Sequence, residues 1–150
     1  MITILRTNSD NLDFIGLVEL LDAELAKRDG EDHSFYDQFN KIDKIKHAVV
    51  AYEDGKPQAC GAIRAYDSSS MEIKRMYTLP SSRGKKIATQ ILAELESWAS
   101  ALSCKKCILE TGKNQPEAIA LYRKNGYQVI PNYGQYAQIE NSICFEKAIK

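Results

Sequence analysis

The chain has no excess charge of either sign: 20 Lys and Arg balance 20 Asp and Glu among 150 residues. Nothing therefore points to nucleic acid or an anionic membrane as a partner, and any anion site must be local. Long hydrophobic runs are missing too. None approaches the roughly 20 apolar residues of a membrane span, and Met1-Ile2-Thr3-Ile4-Leu5-Arg6 is too short for a secretory signal. We read a cytoplasmic protein with no membrane partner. Cysteine is scarce, with only Cys60, Cys104, Cys107 and Cys144. Outside a secretory context these read as free thiols, not as a disulfide framework. Cys104-Lys105-Lys106-Cys107 is a lone C-x-x-C with only His33 and His47 as distant companions, so no metal site is expected. Internal repeats and low-complexity linkers are lacking as well. That leaves residues 1–150 as one domain, long enough to bury a core without staples.

What is present is an orderly alternation of strands and helices. Residues 2–6 read as a short strand, and Leu12, Ile15, Val18, Leu21 and Leu25 recur at helical spacing, predicting a helix over 10–28. A second short helix is expected at 33–40, where Phe35 and Phe39 sit at i, i+4 for core packing; a substrate-facing role for Tyr36 or His33 is the alternative. His47 to Tyr52 and Gln58 to Tyr66 are apolar runs joined by Glu53-Asp54-Gly55-Lys56-Pro57, whose Asp-Gly step signals a hairpin. Met71 to Thr78 makes a third strand. A firm amphipathic helix follows from Ile87 to about residue 102, then a strand at Lys106 to Thr111. Gln115-Pro116-Glu117 opens another helix, which Gly126 closes. Strands at Tyr127 to Ile130 and Ser142 to Ile149 finish the chain around a long loop, Pro131 to Asn141. The last strand reads either as an edge strand or as an apolar surface for a homodimer.

Two stretches stand out chemically. In the third strand, alternation puts Glu72, Lys74, Met76 and Thr78 on one face and Ile73, Arg75 and Tyr77 on the other. Three charges in a central strand mean either a partly solvated ion pair or a face that borders a wet cavity. Directly after it, Leu79-Pro80-Ser81-Ser82-Arg83-Gly84-Lys85-Lys86-Ile87-Ala88 reads as a turn leading into a helix whose first turn carries a glycine and three cations. Unpaired N–H groups and the helix dipole make such a start a phosphate cradle. Gly84 lets the backbone come close, and Arg83, Lys85 and Lys86 add charge. Taken locally, the same residues also suit an ordinary turn with solvated cations.

The order of elements decides between these readings. With Arg83-Gly84-Lys85-Lys86-Ile87-Ala88 after the third strand of a meander and Asn114-Gln115-Pro116-Glu117-Ala118-Ile119-Ala120-Leu121-Tyr122-Arg123-Lys124-Asn125-Gly126-Tyr127 downstream, the chain resembles the GNAT family of acetyl-CoA-dependent N-acetyltransferases. The resemblance covers essentially the whole chain and is most specific over Met71 to Tyr127. It implies an α/β (α+β) single-domain fold with a mixed, mostly antiparallel sheet of about six to seven strands, about four helices, and a splayed V-shaped slot for the cofactor. Arg83, Ile87 and Ala88 fit the family's phosphate motif, R/Q-x-x-G-x-G/A, whereas Lys86 stands at its fourth position, where glycine is usual. A helical conformation at Lys86 needs no positive φ, so the lysine is expected to be tolerated.

The resemblance also implies roles. Backbone groups of Met76, Tyr77 and Thr78 would pair with the pantetheine arm, Arg83 through Thr89 would hold the pyrophosphate, and Gln115 would contact the cofactor. Tyr122 would hydrogen-bond or protonate the departing CoA sulfur, although on spacing alone it reads as a core tyrosine. Glu72 is the candidate base for the acceptor amine, which has an ordinary pKa of about 10.4 and must lose a proton to react. The expected activity is transfer of acetyl from acetyl-CoA to a primary amine, taken to belong to a small molecule, by direct attack in a ternary complex without metal. A catalytically weak CoA-binding module and a protein N-acetyltransferase are the alternatives. The acceptor walls are expected from the helices before residue 40 and the loop 130–136, with Glu24, Asp29, Glu31 and Asp32 able to attract a cation or simply to be solvated.

Overall fold

In the computed structural model, residues 1–29 and 45–149 are described. Among the described residues seven strands form one sheet: β1 (Ile2–Thr7), β2 (His47–Glu53), β3 (Lys56–Ala65), β4 (Ser70–Thr78), β5 (Lys106–Gly112), β6 (Gln128–Ile130) and β7 (Ser142–Ala148). Their order across the sheet is β1-β2-β3-β4-β5-β7-β6. Only β4 and β5 run parallel; every other pair is antiparallel. Three α-helices are present among the described residues, α1 (Leu12–Asp29), α2 (Ile87–Ala101) and α3 (Pro116–Lys124). The helix expected at 33–40 lies outside the described residues.

The helices cover both faces, which explains the unbroken apolar runs in the middle strands. On one face Phe14, Leu17, Val18 and Leu21 of α1 pack on Ala48, Val50, Cys60, Ala62 and Tyr77. On the other, Ile87, Ile91, Leu92 and Leu95 of α2 and Tyr122 of α3 pack on Val49, Ile63, Ile73, Leu109 and Phe145. The hairpin turn between β2 and β3 places Asp54 at φ 53° and Gly55 at φ 77°, the left-handed pair that matches strand twist. The last strand is a correction: β7 lies between β5 and β6, so it is interior, and its ladder is already used on both sides. The apolar character read as an edge or a dimer surface belongs instead to the core, where Cys144 and Phe145 are fully buried.

The strand β4 departs from simple alternation. Tyr77 pairs with Cys60 and Lys74 with Ala62, so Arg75 and Met76 together oppose the single residue Gly61. This bulge puts Arg75 at φ 59° and resets the faces. Met76 consequently packs with Ile73 on the α2 side and Tyr77 turns to the α1 side, the reverse of the alternation expected from the sequence. Gly61 makes room: a Cβ there would lie 2.6 Å from Met76 Sδ and 2.8 Å from Ile91 Cγ2.

Candidate active site

The sheet opens where β4 and β5 part. The two strands pair only from Ser70 with Lys106 to Glu72 with Ile108. Beyond that, β4 runs on to Thr78 and β5 to Gly112 without bonding each other, leaving a V-shaped slot. Two adjoining cavities occupy it, with volumes of about 240 and 100 Å³, both open to solvent. They share Leu21, Met76, Gln115, Ala118 and Tyr122, so these residues form the waist between them.

The larger cavity is a groove between the end of β4 and the start of α2. Met76, Tyr77 and Thr78 line it with Arg83, Gly84, Lys86, Ile87, Ala88 and Thr89; Gln115 closes the far wall as the residue preceding α3. Lys85 is exposed and lies outside this lining. The loop that enters α2 begins with a 3-10 turn, Pro80–Ser82, whose Ser82 hydroxyl bonds Gln58. Gly84 follows at φ 83°, and nothing lies within 4 Å of where its Cβ would stand. The backbone thus faces open space. The helix begins only at Ile87, and Lys86 is its capping residue in the left-handed region, φ 65° and ψ 19°. This corrects the sequence expectation for Lys86: a conformation that glycine adopts freely is imposed on a lysine, at a cost of about 1–2 kcal/mol.

Arg83, though partly exposed, is already engaged. Its Nε donates to the Thr78 carbonyl at 2.9 Å, its Nη2 donates to Glu24 Oε1 of α1 at 2.9 Å, and its guanidinium lies over the Tyr77 ring at 5.6 Å. On the opposite wall, Arg28 of α1 pairs with Glu117 of α3, and Asn114 donates to the Arg28 carbonyl at 3.3 Å. The C-terminal half of α1 is therefore tied to both sides of the groove. The sequence reading left Glu24 between attracting a cation and being solvated; among the other acidic candidates, Glu31, Asp32 and the side chain of Asp29 are outside the described residues.

The smaller cavity is a polar cleft. Glu72, Lys74 and Arg75 of β4, Glu110 and Thr111 of β5, and Tyr136 from the long loop line it, with Leu21 and Leu25 of α1 above. Both readings of the charged strand therefore hold at once, an ion pair and a cavity wall. Glu72 is only 2% exposed; one carboxylate oxygen accepts from Arg64 Nε at 3.2 Å and the other from the Tyr133 hydroxyl at 2.6 Å. Tyr133 is itself packed edge-on against Tyr66 and Tyr136. Arg75 has a side chain 1% exposed and pairs with Asp22 of α1. Burial lowers the Lys74 pKa below its usual value, with neighbouring Glu72 opposing the shift.

Tyr122 stands at the waist, buried beside Tyr127 and Phe145. Burial, with the charge of Glu110 adding to it, pushes its phenol well above the ordinary value of 10.0. Glu110 was not singled out in the sequence, because its neighbours on β5 are apolar and nothing local marks it. Only the parting of the strands turns it into a cleft residue.

The fold and the slot define an acyltransferase architecture, and sequence comparison agrees. The acetyltransferase (GNAT) family profile matches residues 14–127. The chain belongs to that family and is an acyltransferase of the N-acetyltransferase class. It is 37% identical over 103 residues to the IAA acetyltransferase of Azospirillum brasilense, covering 67% of each chain. A candidate acyl-CoA N-acyltransferase from Klebsiella pneumoniae has the same fold, with a TM-score of 0.84, 30% identity, and 100% of this chain matched to 99% of that one. The PaiA N-acetyltransferase of Thermoplasma acidophilum, solved with coenzyme A, shares the fold at a TM-score of 0.73 and 19% identity, with 99% of each chain covered. Among the described residues, no helix is long and apolar enough to cross a membrane.

Proposed function

We propose that this protein transfers an acetyl group from acetyl-CoA to the primary amine of a small molecule, both substrates being held at once. The observation that carries the reading is the parting of β4 and β5, with the groove at the start of α2 meeting the polar cleft at Tyr122. The residues present fit the donor: Arg83 to Thr89 offer helix-start N–H groups and cations to the pyrophosphate, and Gly84 leaves space for it. Met76, Tyr77 and Thr78 offer the free side of β4 to the pantetheine arm, as a sheet edge accepts a strand. Lys85, exposed beyond the groove, contributes only long-range charge.

The cleft takes the acceptor. Its walls of Leu21, Leu25 and Tyr136 suit a small molecule. The amine lone pair attacks the thioester carbonyl carbon, a C–N bond forms, and the C–S bond breaks to release CoA thiolate. Glu72 takes the proton of the bound ammonium, directly or through water, held in place by Arg64 and Tyr133, and the second proton, shed from nitrogen as the C–N bond forms, leaves to solvent water. A backbone N–H near Met76 or Tyr77 polarises the carbonyl. Tyr122 donates a hydrogen bond to the leaving sulfur. Net proton transfer from an ordinary phenol to a thiolate is uphill by about 2 kcal/mol, and burial of Tyr122 makes it more so. The tyrosine therefore steadies the thiolate and keeps its proton.

The test is thermal unfolding with and without acetyl-CoA, followed by CoA release over a panel of amines. Ligand at about a hundred times Kd adds roughly 2.7 kcal/mol, several degrees for a domain of this size. No rise at millimolar acetyl-CoA refutes the donor site. A rise without CoA release on any amine leaves a CoA-binding module instead.

A further inference from the structure

Buried charge in the polar cleft is balanced, and one part of it is unsatisfied. Glu72, Lys74 and Arg75 of β4 and Glu110 of β5 line the same cavity. A guanidinium presents five N–H donors and stays protonated at any working pH. Arg75 has a side chain 1% exposed, yet Asp22, its ion-pair partner, is 40% exposed on α1, and among the described residues the Arg75 Nε finds no hydrogen-bond partner. A cation buried only to brace the fold would have its donors filled, because each buried unpaired donor is costly. The chain also holds Arg75 at φ 59° inside the bulge, a strained position of the kind kept at ligand sites.

We propose that the acceptor is a zwitterion, a free α-amino acid or a close analogue, and that Arg75 selects it by taking its carboxylate. This rests on the reading of the cleft as the acceptor site. Arg75 then gains the charged acceptor that Asp22 supplies only from the surface, while the carboxylates of Glu72 and Glu110 receive the ammonium before it loses its proton. The wall argues against the other small amines. A polyamine would bring two or more positive charges to a cleft that already holds two cations, and an uncharged amine would leave the guanidinium donor unpaired.

The experiment measures CoA release by the full chain with saturating acetyl-CoA and matched acceptors: each L-amino acid beside its α-carboxamide, and spermidine as a polyamine. The expected result is at least one amino acid turned over with kcat/KM about tenfold or more above its own amide, and spermidine far below both. In Arg75→Gln that ratio falls toward one through a raised KM for the amino acid. Should Arg75→Gln fail to fold, the wild-type ratio decides alone. Amides or spermidine used as well as amino acids would overturn the proposal while leaving acetyl transfer intact, and so would an undiminished ratio in folded Arg75→Gln. Acetyl-CoA binding with no turnover of any acceptor would overturn the acetyltransfer reading, and this one with it.

Discussion

Removing the charge of Glu24 should tighten CoA binding, although Glu24 lines the groove that receives it. Arg83, the leading cation of the cradle, is held by Glu24 at 2.9 Å, and the two side chains are 36% and 29% exposed. A pair so exposed is worth about 0.2–1 kcal/mol. A phosphate that claims Arg83 must break it, and must then tolerate the liberated carboxylate nearby. Glu24→Gln removes both costs. The combined gain is about 1 kcal/mol, or roughly fivefold in Kd, shrinking as salt rises because the groups are partly solvated. Isothermal titration calorimetry of CoA into wild type, Glu24→Gln, Arg83→Gln and the double variant measures it. Arg83→Gln should weaken binding, and Glu24→Gln should gain less in that background, because much of its effect runs through the lost cation. Equal or weaker binding by Glu24→Gln in the wild-type background would refute the competition.

Tyr122→Phe is expected to lower kcat about ten- to a hundredfold while changing acetyl-CoA affinity little, by steady-state kinetics and calorimetry; an unchanged kcat would remove the phenol from the mechanism. Gly61→Ala should destabilise the fold by about 1–3 kcal/mol, because the new methyl meets Met76 Sδ at 2.6 Å and Ile91 Cγ2 at 2.8 Å, and denaturant titration reads the loss. Lys86→Gly should add about 0.5–1 kcal/mol by relieving a left-handed lysine, its φ being 65°; a lower midpoint of thermal unfolding would contradict that. All four cysteines are buried thiols. Burial pushes Cys60 and Cys107 up from 9.0 to about 12, so native protein at pH 8 should resist alkylation that proceeds fully in denaturant. Between those pH values the unfolded chain loses protons that the native one keeps, so stability is full below pH 9 and falls as pH rises towards 12. The limiting slope is about 1.4 kcal/mol per pH unit per thiol, checked by denaturant unfolding across that range.

Local chemistry wrote much of this protein into its sequence. The Asp54-Gly55 hairpin, the amphipathic runs of α1 and α2, the proline opening α3 and the basic turn before Ile87 all depend on neighbours within a few positions, and each was legible for that reason. So was the family, because its motif is continuous from Arg83 to Ala88. What required tertiary structure involves partners distant in the chain. The bulge at Arg75 exists only relative to Gly61 on the adjoining strand, and it moved Met76 and Tyr77 to faces that alternation does not predict. The place of β7 inside the sheet depends on β5 and β6, since an apolar strand reads alike at an edge or in the middle. Lys86 took a left-handed conformation because the loop and the helix start must meet there, whatever its own preference. Arg83 found Glu24, and Glu72 came to share a cleft with Glu110, through the packing of α1 and the parting of β4 from β5. Sequence spacing fixes which side chains share a face of one element; only the pairing of elements fixes which faces meet, and the site is made where they do.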